Sequence, residues 1–293
     1  MLALIAGTGD LPPALIARLP ERPLVCALQG FTSSVTPDIT FRLETLGTFL
    51  EDLRERGVTE VCMAGAVRRP KVDSSLIDAA TSPLVPRISE ALAKGDDGAL
   101  RVIIALFEEA GIIVKAAHEI APDLLPEVGV PTVAQPGTAH RQDAVTAEQV
   151  IAEMGAADQG QACVVRRGQV LAREGRDGTD AMLARFQPDE DPLWGAVDMV
   201  GDMLGSTAEW LSGPDAVPSG GRGAILFKAP KPHQDRRADL PVIGPATAKA
   251  VFGAGFAGIV VEAGGVMVLD QPAIIRTLNA ADAFLWVRPK GGA

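Results

Sequence analysis

The first part of the chain alternates short apolar runs with amphipathic stretches, and this alternation restricts the fold more than any other feature. The apolar runs have the length of strands, while the amphipathic stretches have helical spacing. The strand-like runs are 2–6, 24–28, 59–64 and 112–117, and the helical stretches are 13–19, 46–56 and 96–110. Because strands separated by helices pair in parallel, we expect a Rossmann-like parallel-sheet domain over residues 1–130.

A second α/β domain is expected over residues 131–293. The prolines between 122 and 138 predict a stiff linker around its start. The predicted elements are a helix at 147–156, a hairpin at 161–173, a helix at 181–186 capped by Thr179 or Asp180, a helix between 193 and 211, strands at 224–227, 258–262, 266–269 and 284–287, and helices at 245–254 and 273–280.

Charge and cysteine usage exclude several classes of protein. The 293 residues carry a net charge of −10, whereas non-specific binding of nucleic acid requires a basic surface. Cys26, Cys62 and Cys163 form no CxxC pair, so we expect neither a zinc site nor a disulfide framework. Buried free thiols fit a reducing cytoplasm.

No apolar run approaches the ~18 to 20 residues of a membrane span, and the N-terminus lacks the basic segment of a secretory signal. We therefore expect a cytoplasmic protein whose membrane contact is peripheral.

A glycine-rich turn, Gly7-Thr8-Gly9-Asp10-Leu11, follows the first strand-like run. Glycines let backbone amides approach a phosphate, and the next helix presents its positive end. The pattern is also typical of a tight structural turn, and it lacks the third glycine of a dinucleotide-binding loop. The second strand is followed by no acidic residue that would hold a ribose, which disfavours NAD. A nucleotide-binding loop and a structural turn both stay open.

Charged residues follow the later strands of the first domain. Arg68, one of two adjacent arginines, is suited either to bind a diphosphate or to lie on the surface. Lys94 could face a ligand, and Asp96 is suited to cap the helix that begins near it. His118 and Glu119, at the end of the fourth predicted strand, have a catalytic and a structural interpretation.

The segment 228–244 concentrates cations, carboxylates and prolines between a strand and a helix, which is where α/β folds usually place their sites. Lys228 and Lys231 could hold a phosphate, and Asp239 with Asp180 from another loop could hold Mg²⁺. The alternative is a solvated loop in which Asp239 pairs with one of the loop's own arginines, Arg236 or Arg237.

Taken together, these motifs resemble those of the LpxI family, which contains UDP-2,3-diacylglucosamine pyrophosphatases of lipid A biosynthesis. The order of motifs agrees along nearly the whole chain. The motifs are Ile5 to Pro12, Ala64 to Pro70, Lys94 to Asp97, Ala117 to Glu119, Glu174 to Met182, Lys228 to Pro232, and Asp239 to Gly244. The chain departs from the family pattern at Thr8, where glycine is favoured, and at Ala66, where asparagine is favoured.

The resemblance implies attack of water on the UMP-side phosphorus of UDP-2,3-diacylglucosamine, giving UMP and 2,3-diacylglucosamine 1-phosphate (lipid X). It implies two domains with the lipid between them, and Mg²⁺ or another divalent metal as cofactor. Asp239 matches the family's essential aspartate and is the expected metal ligand; we expect Asp180, Lys228 and Lys231 to act with it in catalysis. The expected substrate-binding residues are Gly7, Thr8, Gly9, Asp10, Leu11, Arg68, Lys94, Asp96, His118, Glu119 and Thr179.

The resemblance also implies a lipid-linked nucleotide sugar as partner, met at the cytoplasmic face of the inner membrane, and it is compatible with a homodimer. Two other classes stay open on the residues alone. One is a nucleotide-dependent oxidoreductase, and the other is a non-catalytic protein that binds a nucleotide sugar or a lipid.

Overall fold

The computed structural model describes residues 1–67, 71–93, 96–157, 159–187, 220–232 and 234–292. Its contacts divide the chain into two compact units, one built from residues 1–125 and 234–242 and the other from the rest. The segment 234–242 is predicted by the sequence to belong to the second domain. It packs with the first unit because Ala238 contacts that unit's apolar core and Arg237 pairs with Glu108.

The first unit contains a five-stranded parallel sheet. Its strands are β1 (Leu2–Ala6), β2 (Leu24–Leu28), β3 (Ile39–Phe41), β4 (Glu60–Ala64) and β5 (Ile113–Lys115), in the order β3-β2-β1-β4-β5. All four neighbouring pairs are parallel. The predicted parallel α/β domain is therefore confirmed. Sequence reasoning missed β3 because its three residues are half-buried or exposed and form no apolar run.

The helices of this unit are α1 (Leu11–Ile16), α2 (Leu46–Glu55), α3 (Val85–Ala93), α4 (Asp96–Glu109) and α5 (Ala117–Ile120), with short 3₁₀ turns at Leu43–Thr45, Ser74–Leu76, Ser82–Leu84 and Pro122–Leu124. Helix α2 illustrates how the pattern specifies the element. Leu46, Phe49, Leu50 and Leu53 are buried at helical spacing, so one face packs on the sheet. Phe49 also stacks on Phe41 of β3, with 3.9 Å between ring centroids.

The second unit contains a mixed five-stranded sheet in the order β12-β10-β8-β6-β7 and a two-stranded pair, β9 with β11. Its strands are β6 (Ala162–Arg166), β7 (Gln169–Arg173), β8 (Ile225–Lys228), β9 (Val242–Ile243), β10 (Gly258–Glu262), β11 (Met267–Val268) and β12 (Phe284–Arg288). Its helices are α6 (Thr138–Ala156), α7 (Gly178–Ala184), α8 (Pro245–Gly253) and α9 (Gln271–Ala280). Strands β8, β10 and β12 are parallel, while β6 runs antiparallel to both β8 and β7. The predicted second α/β domain is confirmed.

The predicted hairpin is confirmed as β6 and β7, joined at Arg167 and Gly168. Both residues have positive φ, 51° and 77°, as a tight hairpin turn requires. The buried carboxylate of Asp143 on α6 accepts the N–H groups of Arg167 at 3.0 Å and of Gly168 at 2.6 Å. Asp143 therefore fixes the turn against the helix that covers this face of the sheet.

The helix expected between residues 193 and 211 lies outside the described residues. Within the described part of the chain, no helix combines the length and the apolar character needed to cross a bilayer.

Candidate functional site

The order of the first sheet reverses at β1, since the chain passes from β1 to β2 on one side and later to β4 on the other. Open α/β sheets bind ligands at the carboxyl ends of the strands that flank such a reversal. The loops that leave β1 and β4 contact each other there. Thr8 and Ala66 exchange two backbone hydrogen bonds of 3.0 Å, and Gly7 donates to the Ala64 carbonyl at 2.8 Å. The predicted binding residues Thr8, Gly9 and Asp10 are exposed at this edge, whereas Gly7 and Leu11 are buried.

Two glycines allow these loops to approach so closely. A Cβ on Gly7 would lie 2.5 Å from the Ala66 carbonyl oxygen, and a Cβ on Gly65 would lie 2.5 Å from that of Thr8. Gly65 also has a φ of +87°, which disfavours any side chain. The glycine-rich turn thus has a structural reason that does not depend on a phosphate.

A cavity of about 420 Å³ lies at the end of β2 beside this turn. It is lined by residues 27–31, 33–37 and 40. Ser34 joins it to the turn, since its N–H and its Oγ donate to the Gly7 carbonyl at 3.1 and 3.3 Å. Sequence reasoning missed this cavity because its polar lining comes from a loop without a recognisable motif.

Two of the predicted binding residues, Arg68 and Lys94, lie outside the described residues. Asp96 is the first residue of α4. His118 and Glu119 lie in the short helix α5 and not at the end of a strand, because β5 already stops at Lys115. Glu119 accepts the Ala116 N–H at 2.7 Å, so it stabilises the start of α5. His118 is half-buried, and its Nδ1 has no hydrogen-bond partner within the described part of the chain.

Asp239 lies half-buried at the end of a turn in the first unit, where its Oδ2 accepts a hydrogen bond from Gln234 Nε2. The neighbouring Arg237 donates to both oxygens of Asp235, at 3.0 and 2.8 Å, and to Glu108 at 2.6 Å. This bonding lowers the pKa of Asp235 and raises the pKa of Arg237. Among the described residues, Arg237 therefore pairs with carboxylates other than Asp239.

The same turn borders a second cavity of about 460 Å³ within the first unit. Its walls combine part of α4 with the turn itself, and they carry three arginines as well as two acids. The lining residues are Arg101, Ile104, Ala105, Glu108, Gln234, Asp235, Arg236 and Arg237. Asp239 lies two residues after Arg237, the last residue that lines this cavity.

In the second unit, Lys228 ends β8 and points to helix α7. Its Nζ donates to Thr179 Oγ1 at 2.8 Å, and that hydroxyl donates to Glu174 Oε1 at 2.6 Å. Lys228 is only 8% exposed and Thr179 only 9%. The expectation that Thr179 or Asp180 caps α7 is wrong, because the helix begins at Gly178. Thr179 instead turns inward to the lysine, while Asp180 is exposed.

Lys231 follows Lys228 in the loop and is half-buried. A buried carboxylate, Glu262, ends the parallel neighbour β10, and a buried guanidinium, Arg288, ends β12. In the sequence analysis, Glu262 is only the last residue of the predicted strand 258–262. A charged residue at the end of a buried strand is the signal that would have marked both positions, since a buried charge requires a polar partner.

The predicted residues thus divide between the units: Asp239 belongs to the first, and Lys228, Lys231, Thr179 and Asp180 belong to the second. Their convergence stays a prediction. Within the described ranges, no group of three or more His, Cys, Asp or Glu side chains could hold a metal. Mg²⁺ is often held by one or two carboxylates together with substrate phosphates, so a single half-buried aspartate fits that mode of binding.

The cysteines belong to neither set of predicted site residues, the one in the first unit or the one in the second. All three are fully buried, and burial raises the pKa of each thiol to about 12. They are free cysteines, so the expectation of buried thiols is confirmed.

Comparison with known proteins agrees with this arrangement. Residues 1–124 match the model of the LpxI N-terminal domain, and residues 126–286 match that of the LpxI C-terminal domain. The chain is 33% identical over 290 residues to UDP-2,3-diacylglucosamine pyrophosphatase LpxI of Caulobacter vibrioides, which covers 97% of this chain and 96% of that protein. Both domain models and a full-length relative therefore agree, and the chain belongs to the LpxI family.

Proposed function

We propose that this protein hydrolyses the pyrophosphate of UDP-2,3-diacylglucosamine and releases UMP and 2,3-diacylglucosamine 1-phosphate. The observation that carries the proposal is the match along both domains to a relative named for that activity. A similarity confined to one domain would support only a shared fold.

The distribution of charge supports this chemistry. Water adds to the phosphorus on the UMP side, the bond from that phosphorus to the bridging oxygen breaks, and the sugar 1-phosphate leaves with the electron pair. Negative charge spreads over the phosphoryl oxygens during this step, so fixed cations stabilise the transition state. Lys228, buried and hydrogen-bonded at the end of β8, and Lys231, three residues later, are the cations we assign to this role.

Asp239 is the residue that we expect to hold the divalent metal, with Asp180 as a second candidate. When bound, Mg²⁺ would supply positive charge to the phosphate oxygens. An ionised aspartate suits this role because Mg²⁺ prefers hard oxygen ligands. The proposal places the protein at the cytoplasmic face of the inner membrane, because its substrate carries acyl chains.

The test measures UMP released by the purified full chain from UDP-2,3-diacylglucosamine, with Mg²⁺ and with excess EDTA. We expect release with Mg²⁺ and its loss in EDTA, with recovery when Mg²⁺ is restored. Full activity in EDTA would contradict the metal requirement. Absence of UMP under every metal condition would contradict the proposed hydrolysis and would favour a binding protein.

Asp239→Ala provides the residue-level test of the same proposal. We expect kcat to fall by at least about 100-fold, the low end for loss of a group that acts on the reacting atoms, with little change in Tm. The matched control is Asp123→Ala, since Asp123 lies 59% exposed in a surface ion pair with Arg18 and should leave turnover unchanged. Near-normal UMP release by Asp239→Ala, or an equal loss in the control, would contradict the assignment.

A further inference from the structure

A chain of hydrogen bonds in the second unit ends at the ammonium group of Lys228. Thr179 Oγ1 accepts from Lys228 Nζ at 2.8 Å and donates to Glu174 Oε1 at 2.6 Å. The other oxygen of Glu174 accepts the backbone N–H of Gln161. Because the hydroxyl both accepts and donates, its direction is fixed from both sides.

The backbone also holds Glu174 in place. Its N–H donates to the Ala162 carbonyl at 2.9 Å. Gly160 packs against the Glu174 backbone so closely that a Cβ there would lie 2.5 Å from the Glu174 carbonyl oxygen. The backbone of Glu174 is therefore held at the start of β6, and its carboxylate bridges the Gln161 N–H and the Thr179 hydroxyl.

A buried lysine that acts on a substrate requires compensating negative charge and a fixed direction, and these contacts contribute to both. A lysine that is only 8% exposed needs compensating negative charge, and the Glu174 carboxylate lies one hydroxyl away from its ammonium group. A lysine side chain is also flexible, so it stabilises a transition state best when its direction is set before the reaction. Glu174 contributes negative charge, and Thr179 contributes a hydrogen bond that sets the direction of the ammonium group.

We propose that Glu174 is a positioning residue, which acts through Thr179 to hold the Lys228 ammonium where it neutralises charge on the pyrophosphate. The inference rests on the proposed function for the role of Lys228 and on the described contacts for the role of Glu174. An amide in place of the carboxylate would remove the negative charge. If its oxygen kept the bond from the Gln161 N–H, its NH₂ group would donate to the Thr179 hydroxyl, so that this hydrogen bond would reverse its direction.

The kinetic arm of the test compares Glu174→Gln with Glu153→Gln. Glu153 forms an exposed ion pair with Arg173, the neighbour of Glu174, so the control removes one carboxylate from the same unit. For Glu174→Gln we expect kcat to fall about tenfold or more, by analogy with the loss of an outer-shell residue that orients a metal ligand, with little change in KM. The control should keep wild-type kcat, and Tm should show that both variants are folded at the assay temperature.

The second arm of the test measures the chemical reactivity of the Lys228 amine, and it does not depend on enzymatic activity. Lysines of the wild type, Glu174→Gln and Thr179→Val are reductively methylated, and the rate at Lys228 is compared by mass spectrometry with that at Lys249, which is exposed on α8. We expect the relative rate at Lys228 to rise severalfold in both variants. Thr179→Val keeps the test available if Glu174→Gln fails to fold.

Unchanged reactivity of Lys228 in the folded variants would overturn the positioning role, and so would a kcat for Glu174→Gln equal to that of the control. If the wild type released no UMP, the proposed function would fall, while the labelling result would still decide whether Glu174 orders Lys228.

Discussion

At the scale of single residues, the buried guanidinium of Arg288 in the second unit has a carboxylate partner on a neighbouring helix. Arg288 is 3% exposed, and its Nη1 donates to Glu148 Oε2 at 2.7 Å. The other oxygen of Glu148 accepts the Gly291 N–H at 2.7 Å. Burial raises the pKa of Glu148, but the hydrogen bonds from Arg288 and Gly291 together lower it by more. The pKa of Glu148 therefore lies below its ordinary value. Glu148 therefore joins α6 to the end of β12 in its ionised form.

The stability contributed by Glu148 should depend on pH. Because its folded pKa lies below the ordinary glutamate value of about 4.3, the contribution is complete above that value and is lost as pH falls through the folded pKa. Glu148→Gln should lower the free energy of unfolding by about 1.5–3 kcal/mol at pH 7, the range for a hydrogen bond to a charged group, and by less in acid. Urea unfolding near pH 7 and near pH 3 measures the difference.

The control for this experiment is Glu153→Gln on the same helix. Its ion pair is exposed, so its loss should cost less than about 1 kcal/mol at either pH. A Glu148→Gln effect that is equally large in acid would mean that the ionised form is not what stabilises the fold.

At the scale of elements, the sequence specified most strands and helices but not the contacts between their loops. Buried apolar runs such as β1 and the periodic face of α2 are local signals, so they predict their elements correctly. The sequence does not reveal why residue 65 is glycine, because the reason is its contact with Thr8. That residue is distant in sequence and contacts Gly65 only where the strand order reverses. The two hydrogen bonds of Thr179, accepted from Lys228 and donated to Glu174, also join residues distant in sequence or in different elements. From the sequence alone, a threonine beside a helix start is more often interpreted as a cap.

Gly65 and Gly30 offer a direct measure of this loop contact. Their φ angles are +87° and +88°, but a Cβ on Gly30 would meet nothing within 4 Å. Alanine at either position should cost about 1–2 kcal/mol for the backbone conformation alone. Gly65→Ala should cost about 1–3 kcal/mol more, the range for overpacking, because its Cβ meets the Thr8 carbonyl. Chemical denaturation measures both variants, and equal losses would show that the two loops separate without cost.

At the scale of the whole molecule, the cysteines report separately on the two units. Cys26 and Cys62 lie in the first unit and Cys163 lies in the second. All are fully buried, with pKa values raised to about 12. Since the thiolate is the reactive form, we expect no thiol of the native protein to react with a disulfide reagent at pH 8. All three should react in denaturant, and Ser89→Cys, at an exposed site on α3, should react at once in the native state.

Graded denaturant should then show which unit opens first, because one unit contributes two thiols and the other contributes one. Rapid native labelling of Cys26, Cys62 or Cys163 at the rate of Ser89→Cys would contradict the burial described for them.

Because residues 234–242 return to the first unit, the two units are difficult to produce as separate fragments. The chain passes between the units three times, so no single cut yields two complete halves. A fragment of residues 1–125 would keep every strand of the first sheet but would lack Asp239, and the remainder would carry Asp239 without the surface on which its turn packs. Each fragment produced as a separate chain should therefore be inactive alone. Any activity recovered on mixing the two fragments would measure how well the turn that carries Asp239 packs again on the first unit.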